Sequence, residues 1–167
     1  MSDEDAISLI KKAVSAHEPQ VWADLGCGTG TFTKALNSLL PAGSHITAVD
    51  REKQRLNLLN VDFLRANFER DDLKLSGLDS ILMANAIHYV AEKAALIRKL
   101  EPMFAGLPRF VVIEYDTNRA NPWVPFPITF EKLRDLFESL GYLKVVKLNE
   151  KPSAYNAGNM YSALIEK

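Results

Sequence analysis

Val21-Trp22-Ala23-Asp24-Leu25-Gly26-Cys27-Gly28-Thr29-Gly30-Thr31 decides the fold. Its first five residues are short and mostly apolar, the pattern of a strand buried on both faces. Three alternate glycines follow, where a backbone turns tightly and lets a ligand approach closely. From Thr31 to Leu40 the pattern is helical, and Pro41 and Gly43 stop it. The start of such a helix offers unpaired N–H groups to partial negative charge.

Working outward, Asp3 to Ala16 repeats apolar residues at helical spacing, with Ser2 or Asp3 as cap, and Pro19 ends the pattern. His45 to Val49 is a second buried strand ending at Asp50, and Arg51 to Leu59 is expected to be a helix. Strands are predicted at Val61 to Arg65, Asp79 to Ala84 and Arg109 to Tyr115, with a helix from Ala91 to Glu101. A helix from Thr129 to Leu140 takes Thr129 as its cap and Gly141 past its end. Tyr142 to Leu148 and Met160 to Ile165 are two more strands, joined by a loop containing Pro152, Asn156 and Gly158. Alternating strands and helices imply an α/β, doubly wound, mostly parallel sheet. The short last connection implies one antiparallel strand near an edge. Ligands of such sheets bind at the carboxyl ends of the strands.

A chain of 167 residues is expected to form one domain, 1–167, with residues 1–18 as an N-terminal cap helix and 19–167 as the core. No apolar run is long enough to span a bilayer, and the acidic start Ser2-Asp3-Glu4-Asp5 is unlike a signal peptide. One cysteine excludes an internal disulfide framework and a cysteine-based zinc site. These features point to the cytoplasm and away from membranes. A net charge of −1 lacks the basic excess of a nucleic-acid binder.

The glycine turn can serve two cofactor chemistries. The dinucleotide pattern G-x-G-x-x-G fails from Gly26, where Thr31 takes the third position, and from Gly28, where Thr33 takes it. Asp24 serves a pyrophosphate poorly and an ammonium well, which favours a zwitterionic amino-acid group. Asp50, at the end of the second strand, suits both hydroxyls of a ribose.

These residues resemble the class I S-adenosylmethionine-dependent methyltransferases, from about Val21 to Tyr115 by motif and to Lys167 by strand order. The resemblance implies a Rossmann-like sheet of seven strands in the order 3-2-1-4-5-7-6, strand 7 antiparallel. It implies S-adenosyl-L-methionine as cofactor, leaving S-adenosyl-L-homocysteine. Asp24, Gly26, Cys27, Gly28 and Gly30 match the motif around the methionine end, and Asp50 matches the ribose ligand. Asn67-Phe68 matches the adenine-reading position, often aspartate, where the Asn67 carbonyl can still accept from the adenine amino group. Arg51 stands where an apolar residue often packs on adenine; its guanidinium either stacks there or points to water. Asn85-Ala86-Ile87-His88-Tyr89 matches the motif beside the sulfonium and the acceptor.

On the acceptor side, His88 is the first choice of base, with Tyr89 or Glu114 second. The alternative for His88 and Tyr89 is a polar helix start. Glu114 and Asp116 share a strand face and could hold a cation or an amine, but no metal is expected. Cys27 is either a reactive thiol at a helix start or a small residue in a crowded turn. Asn121-Pro122-Trp123-Val124-Pro125-Phe126-Pro127 is stiff and aromatic. Trp123 and Phe126 are therefore either a wall of an apolar substrate pocket or core anchors. Tyr155 and Asn156, in a loop expected at the same end, are further candidates. The leading expectation is in-line methyl transfer to a small molecule. Methylation of a protein or nucleic acid, and a non-catalytic cofactor-binding module, are the alternatives. The exocyclic-amine pattern Asn/Asp-Pro-Pro-Tyr is absent after the fourth strand.

Overall fold

A computed structural model describes residues 1–153 and 158–167. The elements run α1 (Asp3–Ile10), β1 (Val21–Leu25), α2 (Thr31–Leu39), β2 (His45–Asp50), β3 (Val61–Arg65), β4 (Ser80–Ala84), α3 (Lys93–Leu100), β5 (Arg109–Tyr115), α4 (Phe130–Ser139), β6 (Lys144–Pro152) and β7 (Asn159–Glu166). Single 3₁₀ turns occupy Lys11–Ala13, Ile87–Tyr89 and Glu101–Met103.

The seven strands form one sheet in the order β3-β2-β1-β4-β5-β7-β6. Only β7 runs antiparallel to its neighbours, β5 and β6. The chain therefore works outward from β1 to β3, then crosses to β4 on the other side of β1. That crossing leaves a crevice at the carboxyl ends of β1 and β4.

Strand periodicity sorts the core onto two faces. Ala23, Leu25, Ile81, Met83, Phe110 and Val112 pack under Leu96, Ile97 and Leu100 of α3 and Leu133 and Phe137 of α4. Trp22, Leu82, Val111 and Ile113 pack under Leu9 and Ile10 of α1 and Phe32 and Leu36 of α2. Each Val, Leu, Ile, Phe or Met side chain among them stabilises the fold by about 1.5–3 kcal/mol on burial.

The helix ends follow the residues that cap them. Ser2 Oγ accepts the Asp5 N–H while the Asp5 carboxylate accepts the Ser2 N–H, a reciprocal cap. Thr129 Oγ1 accepts the Lys132 N–H at the start of α4. At its end Gly141 has φ +86°, and Tyr142 and Gly141 donate to Phe137 O and Glu138 O.

Three expectations are corrected. The first helix is shorter than Asp3 to Ala16, because it tightens into the 3₁₀ turn at Lys11. The helix expected to open at Ala91 begins at Lys93, after His88 and Tyr89 have been taken into their own 3₁₀ turn. Arg51 to Leu59 forms no helix. Asp50 Oδ1 accepts the Glu52 N–H and diverts the chain into a bend. Leu56 then lies against Gly30, where an added Cβ would collide with it. No helix among the described residues is long and apolar enough to cross a membrane.

Candidate active site

A cavity of about 790 Å³ opens at the carboxyl end of the sheet. Its floor is the glycine turn. Gly26 and Cys27 donate their N–H groups to Val49 O at 2.8 and 3.0 Å, which pins the turn to the end of β2. Gly28 donates to Asp50 Oδ2 at 2.8 Å. Two glycines are required here for different reasons. At Gly26 (φ +77°) a Cβ would stand 2.7 Å from Ala86 Cβ, so the turn and the β4 loop could not approach. At Gly28 (φ +51°) a Cβ would meet no atom within 4 Å, and Gly28 borders the cavity. Gly30, expected beside the cofactor, does not border the cavity and instead admits Leu56.

Asp24 lies buried beneath the turn. Its Oδ2 accepts from Thr33 Oγ1 at 2.6 Å, and its Oδ1 has no partner among the described residues. Burial pushes its carboxyl up to about 7; the Thr33 hydrogen bond opposes this and the Asp50 charge adds to it. Cys27 borders the cavity, but burial, helped by the charges of Asp24 and Asp50, pushes its thiol up to about 12. A thiol so raised is a poor nucleophile at neutral pH, which favours the compact-residue reading of Cys27 over the reactive one.

Asp50 also borders the cavity, with one backbone N–H already on each carboxylate oxygen. Each oxygen keeps a lone pair for a further donor. Arg51 lines the mouth with its side chain mostly in water, beside Glu52. Asn67 and Phe68 share the lining with Asn85 and Ala86. The Asn67 carbonyl oxygen accepts the N–H groups of Glu69 and Arg70 at 3.0 and 3.2 Å. Both of its lone pairs are thereby used. The expected acceptor for an adenine amino group is spent on a local turn, and the side-chain NH₂ is what remains. Asn85 sits at the end of β4 with φ +52°, a conformation asparagine tolerates better than most residues. Its Oδ1 is buried and unpartnered among the described residues.

His88 and Glu114, the expected base and its alternative, are brought together in the interior. His88 Nδ1 lies 2.7 Å from Glu114 Oε2. The His88 ring does not border the cavity; Tyr89 (50% exposed) and Tyr115 do, with ring centroids 4.3 and 6.2 Å from it. Asp116 turns away from Glu114: its Oδ1 caps α4 by accepting the Phe130 N–H, and its Oδ2 lies 3.6 Å from Lys147 Nζ. The two carboxylates thus serve different partners, and no metal-type cluster occurs among the described residues.

Trp123 and Phe126 do not form the expected wall. Asn121 Oδ1 accepts the N–H groups of Trp123 and Val124. That turn sends Val124 inward and leaves Trp123 80% exposed. Phe126, 44% exposed, stacks beside Lys93 instead of the cavity. Tyr155 and Asn156 lie outside the described residues. The neighbouring Lys151, Pro152 and Ser153 do line the cavity, because β6 runs parallel to β5 and delivers its end there. Sequence reasoning missed Met1, Asp5, Tyr115 and Met160 in the lining. The ion pair between Asp5 and Lys151, which brings α1 over the cavity, joins residues too far apart in sequence to be read from spacing.

Fold and cavity together define an α/β domain with a ligand-sized crevice at the carboxyl end of its mostly parallel sheet. A family model described as a methyltransferase domain matches residues 23–105. A malonyl-[acyl-carrier protein] O-methyltransferase of Bacillus anthracis is 32% identical over 102 residues, 56% of this chain and 37% of that protein. The chain thus spans well under half the length of that curated relative. A SAM-dependent methyltransferase from Aquifex aeolicus superposes with a TM-score of 0.70 at 15% identity, over 99% of this chain and 98% of that one. The 1,6-didemethyltoxoflavin-N1-methyltransferase of Burkholderia thailandensis, solved with 1,6-didemethyltoxoflavin and S-adenosylhomocysteine, gives 0.75 at 16% identity over 99% and 77%. Residues 23–105 thus match a methyltransferase domain, and the chain as a whole has the fold of the S-adenosylmethionine-dependent methyltransferases it superposes on.

Proposed function

We propose that this chain binds S-adenosylmethionine and transfers its methyl group to a small-molecule acceptor by in-line displacement. The observation that carries the reading is the open space in front of Gly28, in a cavity whose lining also includes Asp50 and Asn85. The residues fit the group. The turn and the start of α2 offer N–H donors to a carboxylate. The unpartnered oxygen of Asn85, in the cavity lining, suits an ammonium; Asp24, buried beneath that lining, adds its charge from below. Asp50 takes the ribose hydroxyls. Phe68 supplies its ring and backbone N–H to adenine, and Asn67 contributes its NH₂ as a donor to a ring nitrogen. Bound there, the cofactor supplies an electrophilic methyl group on a sulfonium.

The chain's own task is then alignment and exclusion of water. Holding two reactants in line is worth about 7–11 kcal/mol of barrier. Tyr89, Tyr115, Met1 and Met160 give the acceptor end an aromatic and thioether wall, and the Asp5–Lys151 pair its polar rim. A volume of about 790 Å³ suits a cofactor and a compact acceptor group. The relatives named for malonyl-[acyl-carrier protein] and 1,6-didemethyltoxoflavin support an acceptor group of that size.

Calorimetry and thermal shift test this. S-adenosylhomocysteine at a hundred times its dissociation constant is expected to stabilise the fold by about 2.7 kcal/mol. Asp50→Ala is expected to weaken binding by about 1–3 kcal/mol, the scale of lost hydrogen bonds to a charged group. No stabilisation of the wild type by either cofactor form would overturn the reading.

A further inference from the structure

The turn after β3 is held from two directions. Asn67 Oδ1 accepts the N–H groups of Glu69 and Arg70, and the Asn67 backbone carbonyl accepts those of Arg70 and Asp71 at 3.1 and 2.8 Å. The Asp71 carboxylate in turn accepts the Asn67 N–H at 2.8 Å. Lys99 of α3 supplies the second hold. Its Nζ donates to the carbonyls of Phe68, Glu69 and Asp71 at 3.1, 3.0 and 2.6 Å. An ammonium has three donors, and all three are spent on this one turn.

What the turn has left is one-sided. Asn67 Oδ1, Asn67 O, Phe68 O and Glu69 O are all engaged. The Phe68 N–H and the Asn67 side-chain NH₂ have no partner among the described residues. Both residues border the cavity. The Asn67 amide cannot turn over to offer its oxygen, because its nitrogen would then meet the Glu69 and Arg70 N–H groups, donor against donor.

We propose that Lys99 is a positioning residue that fixes this turn as an all-donor reader of the cofactor's base. The site then holds the purine through its ring nitrogens, which accept, and is indifferent to the 6-amino group, which donates. This rests on the methyltransferase reading above and deepens it: cofactor forms lacking the 6-amino group belong to the class this chain takes. Asn67→Asp reverses the preference by design. One carboxylate oxygen still accepts the two turn N–H groups, and the other becomes a free acceptor for the 6-amino group.

Calorimetry on the full chain compares S-adenosylhomocysteine with its 6-deamino form and with its 1-deaza and 3-deaza forms, in which a C–H replaces one ring nitrogen. The wild type is expected to bind the 6-deamino form within about twofold of the parent, and at least one deaza form about tenfold more weakly, the scale of one lost hydrogen bond. Asn67→Asp should introduce a preference of about tenfold for the parent over the 6-deamino form. Lys99→Met, which keeps the aliphatic stem, frees the three carbonyls and should shrink the deaza penalty, a change in selectivity that loss of stability alone would not produce. A deaza penalty unchanged in Lys99→Met overturns the positioning role. A loss of about tenfold or more for the 6-deamino form in the wild type overturns the proposal even where neither variant folds, and makes the Glu69 carboxylate, which also borders the cavity, the reader of the amine. Full affinity for both deaza forms overturns it as well. A wild type with no affinity for S-adenosylhomocysteine itself refutes the underlying methyltransferase reading instead.

Discussion

Replacing Asp24 by Asn removes one charge and little else, because Asn can still accept the Thr33 hydroxyl. At about 1.4 kcal/mol for each unit of pH, the rise of the Asp24 carboxyl from 3.8 to about 7 costs the ionised fold about 4 kcal/mol. A raised carboxyl favours the fold fully below about 3.8 and loses that contribution as pH climbs through about 7. Asp24→Asn should therefore match the wild type near pH 4 and exceed it increasingly up to pH 8, by at most about 4 kcal/mol. Urea unfolding of both proteins at several pH values measures this difference, and other titrating groups cancel. Binding should show the opposite side of the same charge. An ammonium beside Asp24 favours its ionised form, so wild-type affinity for S-adenosylhomocysteine should fall about tenfold per pH unit below 7. Asp24→Asn should bind weakly throughout. A stability difference that is constant across pH, or that grows toward acid, would refute the argument.

Other outcomes follow from the same geometry. Gly28→Ala should cost about 1–2 kcal/mol of stability for a left-handed non-glycine residue, yet lose far more cofactor affinity in calorimetry, because the new methyl enters the cavity. Cys27 should resist thiol reagents at neutral pH until the protein is unfolded, since its thiol is pushed up to about 12; rapid labelling of the folded chain would contradict this. Trp123→Ala should leave unfolding free energy within about 0.5 kcal/mol and cofactor affinity unchanged, because Trp123 stands outside the cavity.

The sheet was legible because its evidence is local. Apolar runs such as Ile81–Met83 and Phe110–Ile113 lie in buried strands, and the glycine turn marks where the first strand meets its helix. What failed depended on contacts across the chain or on one side-chain oxygen. Arg51 to Leu59 has helical composition, but the Asp50 carboxylate bends its start and Leu56 finds a place on Gly30. The aromatic segment was readable as unusual, not as facing outward, because the direction of Trp123 is set by the Asn121 turn. Asn67 is a residue type that suits an adenine site, but the two N–H groups that occupy its oxygen come from the turn it caps and could not be read from the sequence. His88 and Glu114 were each visible as candidates. Their pairing was not, since it depends on the loop after β4 crossing the end of β5.

The place of β7 has a consequence for how the chain reaches this form. It comes last of the seven in sequence, yet it lies between β5 and β6 and pairs with both along its length. Until it arrives, β6 has no strand to join and β5 presents a bare edge. The sheet is thus completed by its final segment, through pairings distant in sequence, a topology that folds slowly and exposes strand edges on the way. A chain emerging from the ribosome can form β1 to β5 in order, but it closes only when residues 159–166 have been released.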